Sequence, residues 1–79
     1  MKLFLIVYDR KTGTLRELVT YRAEQREVAL RERFAREEAE RGHEEIEVVL
    51  LGADSLDALK KTHSRYFKTL EEFSRPSAG

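Results

Sequence analysis

The side chains with chemistry to offer gather late in the chain, where Thr62, His63, Ser64, Arg65 and Tyr66 follow one another. On a helix, Tyr66 stands one turn beyond His63, and an imidazole and a phenol at that spacing suit a general acid or base at a pocket rim. His63 and Tyr66 are therefore the catalytic candidates. The competing reading is a half-buried histidine on an apolar face, and it is preferred because a lone His lacks the second group that catalysis needs. Ser64 does not supply that group, since adjacent helical residues point about 100° apart and His63 has no easy line to its hydroxyl.

Other chemistries find less support. His43 lies beside Glu44 and Glu45, but no His-x-x-x-His or His-Glu-x-x-His spacing accompanies it, so neither a metal nor any other cofactor is expected. The four glycines are scattered and no Gly-rich loop leads from a strand into a helix; Gly52-Ala53-Asp54 would put a carboxylate where a phosphate should sit. Lys60, Lys61, Arg65 and Lys68 make a basic ridge that suits phosphate contacts with nucleic acid. Against that, the aromatic residues fall on the opposite helical face and cannot stack on bases, so a solvated face is the preferred reading.

Composition narrows the classes. Fifteen Lys and Arg balance fifteen Asp and Glu, which leaves no global field to draw in nucleic acid or anionic lipid. There is no Cys, hence no disulfide framework and no thiolate site, and a cytoplasmic location is the expectation. The apolar run at the N-terminus meets Asp9, Arg10 and Lys11 too soon to cross a bilayer or to act as a signal peptide, so no membrane partner is expected. In 79 residues a single domain is expected, over residues 1–73, with residues 74–79 as a disordered tail lacking apolar content.

The elements that must carry these residues can be read from hydropathy. Residues 2–8 are apolar on both alternating sets, Leu3, Leu5, Val7 and Phe4, Ile6, Tyr8, as in a central strand covered on both faces. Asp9 to Gly13 has turn chemistry, so residues 14–21 return as the second arm of a hairpin. In that arm strict alternation puts Leu15, Glu17, Val19 and Tyr21 on one face and Arg16, Leu18 and Thr20 on the other, the pattern of an edge.

Residues 23–41 lack Gly and Pro and carry Glu27/Arg31, Glu32/Arg36 and Glu37/Arg41, which predicts a helix closed by Gly42 in a left-handed cap. Its apolar residues split into Val28, Ala35, Ala39 on one side and Ala23, Leu30, Phe34 roughly opposite. Residues 46–51 form a third strand with Glu47 its only charge. A second helix is expected to start at an Asp54 cap with Asp57 at the third position. It is expected to run on to Phe73, presenting Leu56, Leu59, His63, Tyr66, Phe67, Leu70 and Phe73 on one face and Lys61, Ser64, Arg65 and Lys68 on the other.

The resulting order is ββαβα, an α+β domain. With one crossover helix, the third strand runs parallel to the second and lies beside the first, giving a mostly antiparallel three-stranded sheet of order 2-1-3. The alternative, with the third strand beside the second, would bury Arg16 and Glu17 and expose the most apolar strand at an edge. Surplus apolar surface, namely Leu30 and Phe34 on the first helix and Tyr66, Leu70 and Phe73 on the second, suits self-association. The functional expectation is a non-enzymatic protein-interaction or regulatory module, most simply a homodimer that also admits another protein partner. A nucleic-acid-binding regulator is the alternative, and a minor enzyme built around His63 stands behind both.

Overall fold

A computed structural model describes residues 1–67 and shows an α+β fold, a three-stranded antiparallel sheet in the order β2-β1-β3 packed with two helices. The strands are β1 (Lys2–Asp9), β2 (Thr14–Arg22) and β3 (Ile46–Ala53). The helices are α1 (Arg26–Ala39), preceded by a 3-10 turn Ala23–Gln25, and α2 (Leu56–Thr62), followed by a 3-10 turn Ser64–Tyr66. Lys68, Leu70, Phe73 and the tail 74–79, with the end of the expected domain, lie outside the described residues. No helix among the described residues is long and apolar enough to cross a membrane.

Six successive residues of β1, Leu3 to Tyr8, are buried, so the strand must be covered on both faces. One face carries Phe4, Ile6 and Tyr8, which pack with Leu59, Tyr66 and Phe67 from the C-terminal elements. The other carries Leu3 and Leu5, which pack with Tyr21 and with Ala29 of α1. Each helix thus covers one face, the arrangement a two-sided apolar strand requires. The hairpin forms as its residues dictate: Asp9 Oδ1 accepts from the backbone N–H groups of Lys11 (2.9 Å) and Thr12 (3.2 Å), and Gly13 takes φ +69°. The first helix is shorter than the expected 23–41: it closes at Ala39 with Glu40 as its cap, and Gly42, at φ +89°, lies in the turn beyond rather than at the cap.

Four further local expectations are corrected. In β2 the register shifts between Val7 and Tyr8, so Val7 faces Glu17 while Tyr8 faces Leu15, and Arg16 is the extra residue of a bulge. The shift moves Leu15 to the face of Phe4, Ile6 and Tyr8, beside Leu18 and away from Val19 and Tyr21. In α1 neither expected apolar side faces the sheet. Ala29, which lies between them on the helical wheel, is the buried residue. It is flanked inward by half-buried Glu32, Arg33, Arg36 and Glu40. Long arginine stems can cover apolar surface while their charged ends reach partners, which lets a polar stripe face a sheet.

The cap of α2 is Ser55, not Asp54; its Oγ accepts the Ala58 N–H at 3.1 Å. Finally, α2 does not run on. His63, at φ −127° and ψ 48°, leaves helical geometry, and Ser64–Tyr66 follow as a 3-10 turn. On a continuous helix Tyr66 and Phe67 would point about 100° apart and only one could enter the core squarely. With the break, both are buried, at 4% and 1% exposure.

Leu59 is the only buried residue of α2 and is fully enclosed. Leu59→Ala should lower unfolding stability by about 2–5 kcal/mol, the usual cost of truncating a buried leucine. Urea titration followed by circular dichroism checks this, with Leu56→Ala, at an exposed position of the same helix, as the mild comparison.

Candidate functional site

The densest set of polar groups lies at one end of the Phe4/Ile6/Tyr8 face. Tyr8 and Glu47 are directly opposed across β1 and β3, and the turn after α2 brings Arg65 and Tyr66 onto them. The Tyr66 hydroxyl donates to Glu47 Oε2 at 2.5 Å and accepts from Arg65 Nη2 at 2.8 Å. Arg65 Nη2 also donates to both Glu47 oxygens, at 2.9 and 2.7 Å. The guanidinium lies 4.3 Å from the Tyr66 ring centre and 5.7 Å from that of Tyr8, and the two tyrosine rings meet edge to face at 5.1 Å. Glu47, Arg65 and Tyr66 thus form a closed hydrogen-bonded network of three side chains, with the Tyr8 ring packed against it.

Its electrostatics follow from those contacts. Burial opposes ionisation of Glu47, but the hydrogen bonds from Arg65 and Tyr66 outweigh it and hold the carboxyl below its ordinary value. Burial, then the bond to the Glu47 carboxylate, pushes the Tyr66 phenol up to about 12. At neutral pH Tyr66 is therefore a neutral donor facing an anion, with its proton committed to Glu47. The arrangement ties the turn after α2 to β3.

His63 stands beside this network without joining it. Its ring centre is 6.3 Å from that of Tyr66 with the planes tilted by 32°, a ring contact rather than a proton-transfer geometry. The two catalytic candidates are neighbours, yet the Tyr66 proton points to Glu47. Tyr66, also a self-association candidate, is enclosed in the chain's own core. The basic ridge is divided in a similar way. Arg65 is engaged by Glu47, and Lys60 Nζ lies 5.9 Å from the centre of the Phe67 ring, while Lys61 is exposed. His43 lies 3.5 Å from Glu45 through Nδ1, and no group of three His, Cys, Asp or Glu among the described residues could hold a metal ion.

A second polar set locks α1 to β2 on the opposite face. Arg36 donates through Nε and Nη2 to the two oxygens of Glu17 at 3.1 and 2.7 Å, and through Nη1 to Glu32. The bidentate bond holds Glu17 below its ordinary range and strengthens the charge on Arg36. Sequence reasoning recognised Glu32/Arg36 as a helical pair but missed that Glu17 completes it. The available signal was Glu17 on an otherwise apolar strand face, which demanded a cation above it. Glu47, likewise the lone charge of β3, carried the same signal for Arg65.

Two further self-association candidates lie among the described residues, both on α1. Phe34 is 65% exposed, and Leu30 is half-buried beside it on α1. Comparison with known proteins finds no matching family model, no matching curated protein and no matching solved structure.

The Glu47 network sets a pH dependence at both ends. A depressed carboxyl pKa contributes stability that is present above the unfolded value, about 4.5, and is lost as pH falls through the folded value. The raised Tyr66 pKa contributes stability present below the unfolded value of 10 and lost as pH rises through about 12. Glu47→Gln should flatten the acid limb and bring the Tyr66 titration down toward 10. Tyrosine-selective NMR titration of wild type and variant reads this shift directly.

Proposed function

We propose that this chain is a small protein-interaction module without catalytic chemistry of its own, and that its partner is a second copy of itself. The observation that carries the reading is Phe34, an aromatic side chain 65% exposed on the outer surface of a helix whose inner surface is polar. In most folds an amphipathic helix spends its apolar residues on the core. Here Ala29 and the arginine stems do that work, and Phe34, Leu30 and Val28 are left facing outward or sideways. Keeping such residues in water has no structural benefit to one chain, whereas covering each fully in an interface contributes about 1.5–3 kcal/mol. For a domain of this size, whose whole stability is about 5 kcal/mol, two or three such residues per copy are a substantial sum.

The polar network at Glu47 supports the same reading from the other side. Its phenol, guanidinium and carboxylate are spent on one another, so the most chemically capable cluster serves the fold. The basic residues offer less to nucleic acid than their spacing suggested, because Arg65 and Lys60 have partners within the chain.

Light scattering across a concentration series from about 1 to several hundred micromolar tests the reading. The expected mass is twice the 9.3 kDa of the chain at the upper end, falling toward one chain on dilution. A chain that stays monomeric throughout, or one retained on heparin at low salt and released by Lys60→Gln with Lys61→Gln, would contradict it and favour a nucleic-acid partner.

A further inference from the structure

The two edges of the sheet are unlike, and the difference assigns one of them a partner. The β2 edge is blunted by the bulge at Arg16 and by charges held in ion pairs, Arg16 with Glu40 at 3.5 Å and Glu17 with Arg36 at 2.7 Å. Such features discourage another strand from adding there. The β3 edge has no bulge and carries a single charge. It reads Ile-Glu-Val-Val-Leu-Leu-Gly-Ala, eight residues without Pro, Lys or a register shift, and its one charge, Glu47, is held by Arg65. Among the described residues no strand pairs with its outer side.

The ladder shows which backbone groups face outward. Arg10 N–H donates to Glu45 C=O at 2.8 Å, in step with the β1–β3 register, while Ile46 N–H turns away to His43 C=O at 3.0 Å. Alternation along an antiparallel pair then directs Glu47, Val49 and Leu51 toward β1 and leaves the N–H and C=O groups of Val48, Leu50 and Gly52 on the outer edge.

A second observation falls at the same edge. Ala29 points at the sheet and Arg36 leans toward β2 to reach Glu17. At about 100° per residue, Leu30 therefore stands on the other side of α1, toward β3, with Phe34 above it between that side and the outer surface.

We propose that two copies of this chain join through β3, antiparallel about a two-fold axis near Val49, into one six-stranded sheet with the two α1 helices side by side. The inference rests on the self-association reading above and names its interface. In this register Val48 bonds to Leu50 of the second copy and Glu47 faces Leu51, so no like charges are opposed. Had the axis passed through Glu47, two carboxylates would have met. Across the axis the two β1 strands stand three spacings apart, about 14 Å, which leaves between helices above them a gap wider than the usual 8–10 Å packing distance. Phe34 and Leu30 from each copy are the side chains placed to fill it.

The absence of Cys from the chain makes the test direct. A lone cysteine in Val49→Cys should form a disulfide with its symmetry mate under mild oxidation, because a non-hydrogen-bonded antiparallel pair brings the two Cα atoms to about 4.5 Å. Thr20→Cys, exposed on the β2 edge, should not. Phe34→Glu, at a surface position that leaves folding intact by circular dichroism, should raise the dimer dissociation constant at least tenfold. A dimeric wild type whose Thr20→Cys variant cross-links while its Val49→Cys variant does not, or whose dimer is indifferent to Phe34→Glu, overturns the β3 interface while the self-association reading stands. A monomeric wild type overturns both.

Discussion

Leu3 to Tyr8 of β1 are withdrawn from water on both faces, and Leu5 and Ile6 have no exposure at all. A strand of that kind cannot lie at an edge or on a surface. It needs a neighbour on each side and a layer above and below, and the chain supplies these with the fewest pieces available: β2 by a hairpin, β3 by a crossover, α1 over one face and α2 with its following turn over the other. The burial of β1 is the constraint from which strand order and helix placement both follow.

The two covering layers are attached by different means. On the Phe4/Ile6/Tyr8 face the attachment is mainly apolar, through Leu59 and Phe67, with the Glu47–Arg65–Tyr66 network closing the margin. On the Leu3/Leu5 face α1 approaches through Ala29, whose small side chain allows the helix close to the sheet, and is held sideways by the Arg36–Glu17 pair. A helix seated on one alanine and the half-buried Arg33 and Arg36 leaves Val28 and Phe34 exposed to other contacts. That choice couples the way α1 is anchored to what Phe34 can meet outside the chain.

Much of this was legible in the residues. The double apolar set of β1 dictated the central position, and Asp9 and Gly13 dictated the hairpin. What escaped the sequence depends on tertiary context. The bulge at Arg16 leaves no mark in hydropathy, since Leu15 looks equally apolar on either face, and only pairing with β1 decides. Ala29 sits between two more apolar stripes and wins because inward Arg36 finds Glu17 and Glu32 as partners. The break at His63 follows from the demand that adjacent Tyr66 and Phe67 both be buried, and periodicity alone cannot express that demand. The Glu47 network was missed because Arg65 was read as one of a row of like charges, when its partner lay eighteen residues away on β3.

If β1 is the doubly covered centre and β3, among the described residues, an edge, the backbone amides should record it. Residue-resolved hydrogen exchange on Phe34→Glu, held dilute so that single chains dominate, is the most direct measurement. The amides of β1 are expected to exchange slowest. Along β3 protection should alternate, with Glu47, Val49 and Leu51 slow through their bonds to β1, and Val48, Leu50 and Gly52 faster by orders of magnitude. Uniform protection along β3 in single chains, or β1 amides no slower than those of β2, would contradict the account.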